Sequence, residues 1–319
     1  MKRKPIYLFF LLSAILSFYR VSAAPVEVRT GVYLMNMYDL NMDEHSFYAD
    51  FYVWFKWKGE LDPTNIEFVN AVEKWGMTLT PFGDTAAVMK DGTFYKIFRV
   101  EGRFFHSFSL NRFPLDRHQL DIQIENPEYP ADTLIYIPDT NGAIIRKTLN
   151  LVGWEQQECY LDSRIHDYES DFGNPEESAD KYSNLTFYVT LARPYTYFLL
   201  KMLLPLLVVV LVSIGALLLH PSYLDARYSL PIGGLLTAVF LQQSYDSALP
   251  DTGYMVLMDK IYLLCYILIS LILLQVIRAG NRLIVVHEAE VHRIDKKEQR
   301  LALFYFLAFC LGILLICLV

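Results

Sequence analysis

Cysteine is scarce in this chain, with four among 319 residues, and only Cys159 falls in the polar first part. A lone cysteine forms no intrachain disulfide, even in an oxidising compartment. Positive charge is short too: 28 Lys and Arg stand against 35 Asp and Glu, a net of −7. Nucleic-acid binding needs a basic face, so that class is excluded. Repeats and low-complexity linkers are absent. Catalytic signatures are missing as well. His287-Glu-Ala-Glu-Val-His292 imitates a zinc-protease motif, but its histidines stand five apart. That is about 140° around a helix, where the motif needs a spacing of four. Gly233-Gly234 lacks the Gly-Lys-Ser/Thr of a phosphate loop. Without a nucleophile–base set the expectation is no enzyme, no cofactor and no metal site.

Apolar residues, by contrast, are abundant: 54% of the chain is hydrophobic and 15% aromatic. That composition predicts membrane segments. Residues 1–23 read as a signal peptide: Met1-Lys2-Arg3-Lys4, an apolar run from Ile6 to about Phe18, then small residues to Ala24. Hydropathy divides again at Arg193-Pro194. Residues 24–193 carry 15 basic and 27 acidic residues. Residues 194–319 hold four apolar segments, at about 197–219, 223–245, 254–278 and 300–319. Each is near the roughly 20 residues that a spanning helix needs. The link after the third segment holds Arg278, Arg282, Arg293, Lys296, Lys297 and Arg300. The link before it holds Asp246 and Asp251 and no Lys or Arg. The positive-inside rule places the basic link in the cytoplasm, with the first domain and the C-terminus outside. A signal peptide sends the first domain the same way.

Within 24–193 the pattern is that of strands. Phe47 to Trp57 is aromatic and partly alternating, and Leu120–Ile124 and Leu185–Leu191 alternate with period two. Asp91-Gly92, Asn141-Gly142 and Gly173-Asn-Pro175 punctuate them. The expected fold is an antiparallel, immunoglobulin-like β-sandwich.

The second apolar segment is the most informative. Ser229, Gly233, Leu236, Phe240 and Gln243 are spaced 4, 3, 4 and 3, and at about 100° per residue they form one stripe. Asp225 lies about 40° from Ser229 and joins it, while Arg227, about 160° away, points to the back. The stripe is polar at both ends and apolar in the middle. A helix lining water has a use for that, and one facing lipid does not. Around an axis Asp225 would form an acidic ring favouring cations, and Leu236 and Phe240 would form apolar constrictions. The competing reading is an ordinary bundle helix, with Gly233-Gly234 present for close approach.

This arrangement resembles the pentameric ligand-gated ion channels, the Cys-loop receptor superfamily, in its prokaryotic branch. Phe113-Pro114-Leu115-Asp116 resembles the family's Phe-Pro-x-Asp loop. Arg193 and Pro205 match residues before and within the first helix, and Leu249-Pro250 matches the link after the second. Glu67-Phe68-Val69-Asn70 resembles the first ligand-binding loop. The loop cysteines of eukaryotic members and their large intracellular domain are absent, and a Trp and Pro usual before the first ligand loop are out of register. The resemblance implies a homopentamer in the cell (inner) membrane, with Asp225, Ser229, Gly233, Leu236, Phe240 and Gln243 lining its pore; the expectation of monovalent cations comes from the Asp225 ring. It further implies that Asp116 pairs with Arg193, near Asp43-Glu44 and against Pro250.

It also implies an agonist pocket between subunits, under a mobile loop. Residues 155–183 match that loop, with nine acids and only Arg164 and Lys181 as bases. Tyr168 and Tyr182 on it, with Glu67 and Glu125, suit a small amine by cation–π and charge attraction. Trp54 or Trp57 would add a wall from the neighbouring subunit. Protons are the other candidate stimulus, with Glu67, Glu125, His106, His118 and His166 as sensors. The sequence reading is thus a ligand- or pH-gated, cation-selective channel. The alternative is a non-conducting, membrane-anchored binding receptor.

Overall fold

The computed structural model describes residues 24–141, 144–170, 173, 181–247, 249–283 and 288–318. The signal-peptide reading and the His287 end of the protease-like motif lie outside the described residues.

The first sheet has the order β4 (Thr78–Pro81), β6 (Phe94–Phe105), β2 (Ser46–Trp57), β1 (Val26–Asn41), β8 (Leu134–Pro138), with β5 (Ala87–Val88) also on β6. The second has the order β3 (Glu67–Phe68), β7 (Arg117–Glu125), β10 (Lys181–Ala192), β9 (Glu155–Asp167). Pairing is antiparallel except where β8 joins β1. The alternation of β2 explains the layers. Phe47, Ala49, Phe51, Val53, Phe55 and Trp57 point inward and are buried, while Tyr48, Tyr52, Trp54 and Lys56 stay partly exposed. Leu120, Ile122 and Ile124 of β7 and Leu185, Phe187, Val189 and Leu191 of β10 close the core from the other side. Each such side chain contributes roughly 1.5–3 kcal/mol by leaving water, and here they do so without a disulfide. Cys159 is free, and burial pushes its thiol up to about 12.

The chain turns from β1 to β2 at one tip of the sandwich, where the Asn41 side chain accepts the Asp43 and Glu44 N–H groups. An Asx turn of this kind fixes a tight reversal. It holds Met42 against both the sandwich core and the helical core below.

Among the described residues four helices follow: α1 (Tyr197–Gly215, opening with a π-helical stretch), α2 (Leu224–Asp246), α3 (Leu257–Leu283) and α4 (Glu288–Leu318). Among the described residues three stretches, Tyr197–Gly215, Leu257–Arg282 and Ile294–Leu318, are long and apolar enough to cross a membrane. Four such segments were expected. The second, although 23 residues long, is less apolar because Asp225, Arg227, Ser229, Gln242, Gln243 and Ser244 interrupt it. α2 packs between α1 and α3, and the two adjacent glycines divide their roles. A Cβ on Gly234 would collide with Ser213 Oγ of α1, whereas one on Gly233 would meet nothing within 4 Å. Close approach is therefore the use of Gly234 alone.

Candidate functional site

The Asp246 end of α2 and the Leu257 end of α3 meet the base of the sandwich, and the candidate residues fall into three groups. The first is the stripe on α2. Asp225, Ser229, Gly233, Leu236, Phe240 and Gln243 are all exposed on the single chain. Arg227, Pro231, Gly234, Ala238 and Tyr245 form the buried face. Ile232 and Val239, beside the stripe, are exposed too. Ser229 donates to the Asp225 carbonyl (2.7 Å) and Thr237 to the Gly233 carbonyl (2.9 Å). Their protons are thus used within the helix, and their oxygens face outward as acceptors.

The second is a pocket of 390 Å³ at the side of the sandwich, lined by Glu67, Val69, Glu125, Pro127, Tyr168 and Tyr182. Strand pairing explains the gathering. Glu67 of β3 lies opposite Glu125 at the end of β7, and β9 brings His166 opposite Tyr182 of β10. Glu125 is the buried member. It accepts from His166 Nδ1 (2.7 Å), the Tyr168 hydroxyl (2.7 Å) and Asn184 Nδ2 (2.7 Å). Burial and the Glu125 carboxylate push the Tyr168 phenol well above its ordinary value, so Tyr168 remains a donor. Its ring stands edge-on to Tyr182, centroids 5.9 Å apart. Glu67 is more exposed and pairs with Lys74. The wall therefore offers two carboxylates and two aromatic rings.

Of the two tryptophans considered for this pocket, Trp57 points into the sandwich. It is buried in the core and stacked on Phe94 at 5.5 Å, because it shares the parity of Phe55 and Val53. Trp54 lies on the outer face of the first sheet. Its Nε1 donates to Asp139 (3.0 Å), which also accepts from Lys56 Nζ (2.6 Å). It borders a second, shallower hollow with Tyr33, Tyr52 and Tyr95. Within the single chain this hollow is separate from the Glu125 pocket.

The third group is the junction. Arg193 Nε donates to Asp116 Oδ1 at 2.7 Å, and the Arg193 N–H donates to the Asp116 carbonyl at 3.2 Å. The guanidinium lies over the rings of Trp154 (4.2 Å) and Phe113 (4.9 Å) and against the Met42 sulfur. The other Asp116 oxygen, Oδ2, is 2.8 Å from His118 Nε2. Asp43 is not part of this cluster: its N–H turns to Asn41, and it is Met42 beside it that reaches Arg193. Pro250 lines a 630 Å³ cavity where α2 ends and α3 begins, with Tyr245, Asp246 and Asp259. The helices reach the Phe-Pro-Leu-Asp loop through other residues. The Tyr254 hydroxyl accepts the Leu110 N–H (3.1 Å), Leu257 N–H donates to Asn111 O (2.9 Å), and Phe113 stacks on Tyr245 (6.4 Å). Arg112 also donates to the Cys317 carbonyl near the end of α4 (3.1 Å).

Sequence reasoning missed one pair altogether. Arg227, fully buried behind the stripe, donates to Glu298 of α4 at 2.6 Å and to the Ala216 carbonyl at 2.9 Å. Glu298 sits in a segment that reads as a solvated link. Lys296, Lys297 and Arg300 around it are indeed exposed, but Glu298 is buried. Among the described residues no group of three or more His, Cys, Asp or Glu could hold a metal ion.

No family model matches the chain. Over 169 residues, 53% of its length, it is 22% identical to the pH-sensitive chloride channel 2 of Anopheles gambiae. The match spans 27% of that relative, so the chain covers about a quarter of it.

Proposed function

We propose that the chain is one subunit of a gated ion channel in a membrane, with its pore lined by α2. The observation that carries this reading is the division of α2 into two faces. Arg227, Pro231, Gly234, Ala238 and Tyr245 pack inside the subunit, while a stripe with polar ends and an apolar middle is left without a partner. Several copies around an axis supply the partner, and the stripe then surrounds water. The channel named as a relative supports the same class. Five copies follow from the family resemblance, as do a first domain and a C-terminus outside the cytoplasm.

Ion preference is argued from this chain's own residues, since the relative is named for chloride. α2 has two charged residues near its first turn. Arg227 is withdrawn behind the stripe and neutralised by Glu298, which leaves Asp225 as the outward charge. The outer domain, with 27 acids against 15 bases, concentrates cations at the mouth. We therefore favour cations. The stimulus acts on the outer domain, as a small amine at Glu67, Glu125, Tyr168 and Tyr182 or as protons. The Arg193–Asp116 junction passes its effect to α2, which widens at Leu236 and Phe240.

Whole-cell current recorded while external pH is stepped from about 5 to 9, then with amines added, tests the reading; that range spans the ordinary titrations of imidazole and thiol. A reversible current supports it. Silence under every condition, with the protein at the cell surface, returns the chain to a non-conducting receptor.

A further inference from the structure

We propose that His118 is the proton sensor of this protein, and that its protonation draws Asp116 away from Arg193. The proposal rests on the channel reading for its effect on current but not for the titration itself. His118 lies deep in the junction, with 2% of its side chain exposed, and Asp116 has 1%. The carboxylate can only accept, so Nε2 of the neutral ring carries the proton shared with Asp116, and Nδ1 is free to take another. With the ring neutral, one carboxylate faces one guanidinium and the junction is balanced. A proton on Nδ1 leaves two cations on one carboxylate in a site closed to water, where an uncompensated charge is costly.

Several groups face this ring. Phe108 (5.0 Å) and Trp154 (5.4 Å) meet it edge-on. The His106 ring lies at 5.9 Å, with Asp121 3.7 Å behind it. Burial pushes the Asp121 carboxyl up, but His106 and the Gln123 amide outweigh that and hold it below the usual range. Asp121 is thus committed to His106, and Asp116 is the carboxylate left to answer a charge on His118. Arg193 is the more exposed of the two competing cations, at 14%, so it is the one that can move toward water. It also holds the ring of Phe113, which in turn stacks on Tyr245 of α2. A proton at His118 therefore reaches the candidate pore helix through Asp116, Arg193 and Phe113.

The test compares wild type, His118→Gln and His106→Gln in full-length protein, reading both current and thermal unfolding midpoint from pH 8 to 5. Glutamine keeps an N–H donor for Asp116 without titrating. Allosteric couplings usually lie at about 5–150-fold, so wild-type current should change about fivefold or more across this range. His118→Gln should change less than about twofold, and His106→Gln should follow wild type. An unchanged pH response in His118→Gln overturns the proposal. If no variant conducts, wild type included, the channel reading fails and the unfolding data decide. A wild-type minus His118→Gln difference that varies with pH supports the sensor, and a constant one overturns it. If His118→Gln does not assemble, nitrogen-15 spectra of histidine-labelled wild type decide: a His118 ring that fails to titrate between pH 5 and 8 overturns the proposal.

Discussion

Arg227 and Glu298, 71 residues apart in sequence, meet at 2.6 Å with side chains 0% and 1% exposed. Each leaves one polar atom, Arg227 Nη1 and Glu298 Oε1, without a partner among the described residues. The pair fastens α4 to the back of α2 near the end remote from the sandwich. Removing one member strands a buried charge, at a cost of about 3–5 kcal/mol, whereas replacing both by apolar side chains costs less. Arg227→Ala and Glu298→Ala should each lower the thermal midpoint of detergent-purified protein strongly. The double change to Met and Leu should recover part of that loss.

Arg193 makes one charged hydrogen bond and two ring contacts at the junction. Charge-assisted bonds contribute about 1.5–3 kcal/mol, and cation–π contacts about 0.5–2 kcal/mol. Arg193→Ala should lose stimulated current or assembly. Surface biotinylation beside current recording tells the two apart, and normal currents at normal surface expression would remove Arg193 from coupling.

The pocket around Glu125 predicts a graded loss. Glu125→Gln keeps the shape but removes the charge, and Tyr182→Ala removes a ring. Taking an aromatic face away from a cation in a desolvated site costs up to about 2 kcal/mol, or roughly 30-fold. If a small amine is the stimulus, its half-maximal concentration should rise about 10- to 30-fold in each variant. A dose–response series with a primary diamine reads this directly.

At the far end of the sandwich, burial pushes the Asp139 carboxyl up, but hydrogen bonds from Lys56 and Trp54 outweigh it and hold it below its ordinary value. Its contribution is therefore complete above the unfolded carboxylate value, near 3.9. It is lost as pH falls through the lower, folded value. Asp139→Asn should destabilise the protein by about 1–3 kcal/mol at neutral pH. The gap to wild type should narrow below about pH 4. Unfolding midpoints from pH 3 to 7 check both the size and the trend.

Local periodicity made much of this legible. The stripe on α2 could be read because Ser229, Gly233, Leu236, Phe240 and Gln243 share one face by spacing alone. The sequence leaves the side of Trp57 open, because the aromatic run of β2 alternates only in part; in the fold Trp57 shares the inward parity of Phe55 and Val53. What could not be read were contacts set by long-range packing. Glu298 stands in a run of exposed charges, and only the approach of α4 to α2 buries it. The three donors on Glu125 come from β9, β10 and the chain after β9, so they depend on the strand register. At the junction, Met42, Tyr254 and Leu257 are ordinary apolar or aromatic residues that no motif distinguishes.

The central claim is that copies of α2 enclose a path for cations with Asp225 at its charged end. The most direct test is the reversal potential of purified protein in planar bilayers under a tenfold sodium chloride gradient, for wild type and Asp225→Asn. The account predicts a wild-type reversal near the sodium equilibrium potential, about 59 mV in magnitude, as one tenfold ratio gives for a monovalent ion. Asp225→Asn should move it toward zero. A reversal near the chloride potential, or the same value in both proteins, would contradict it.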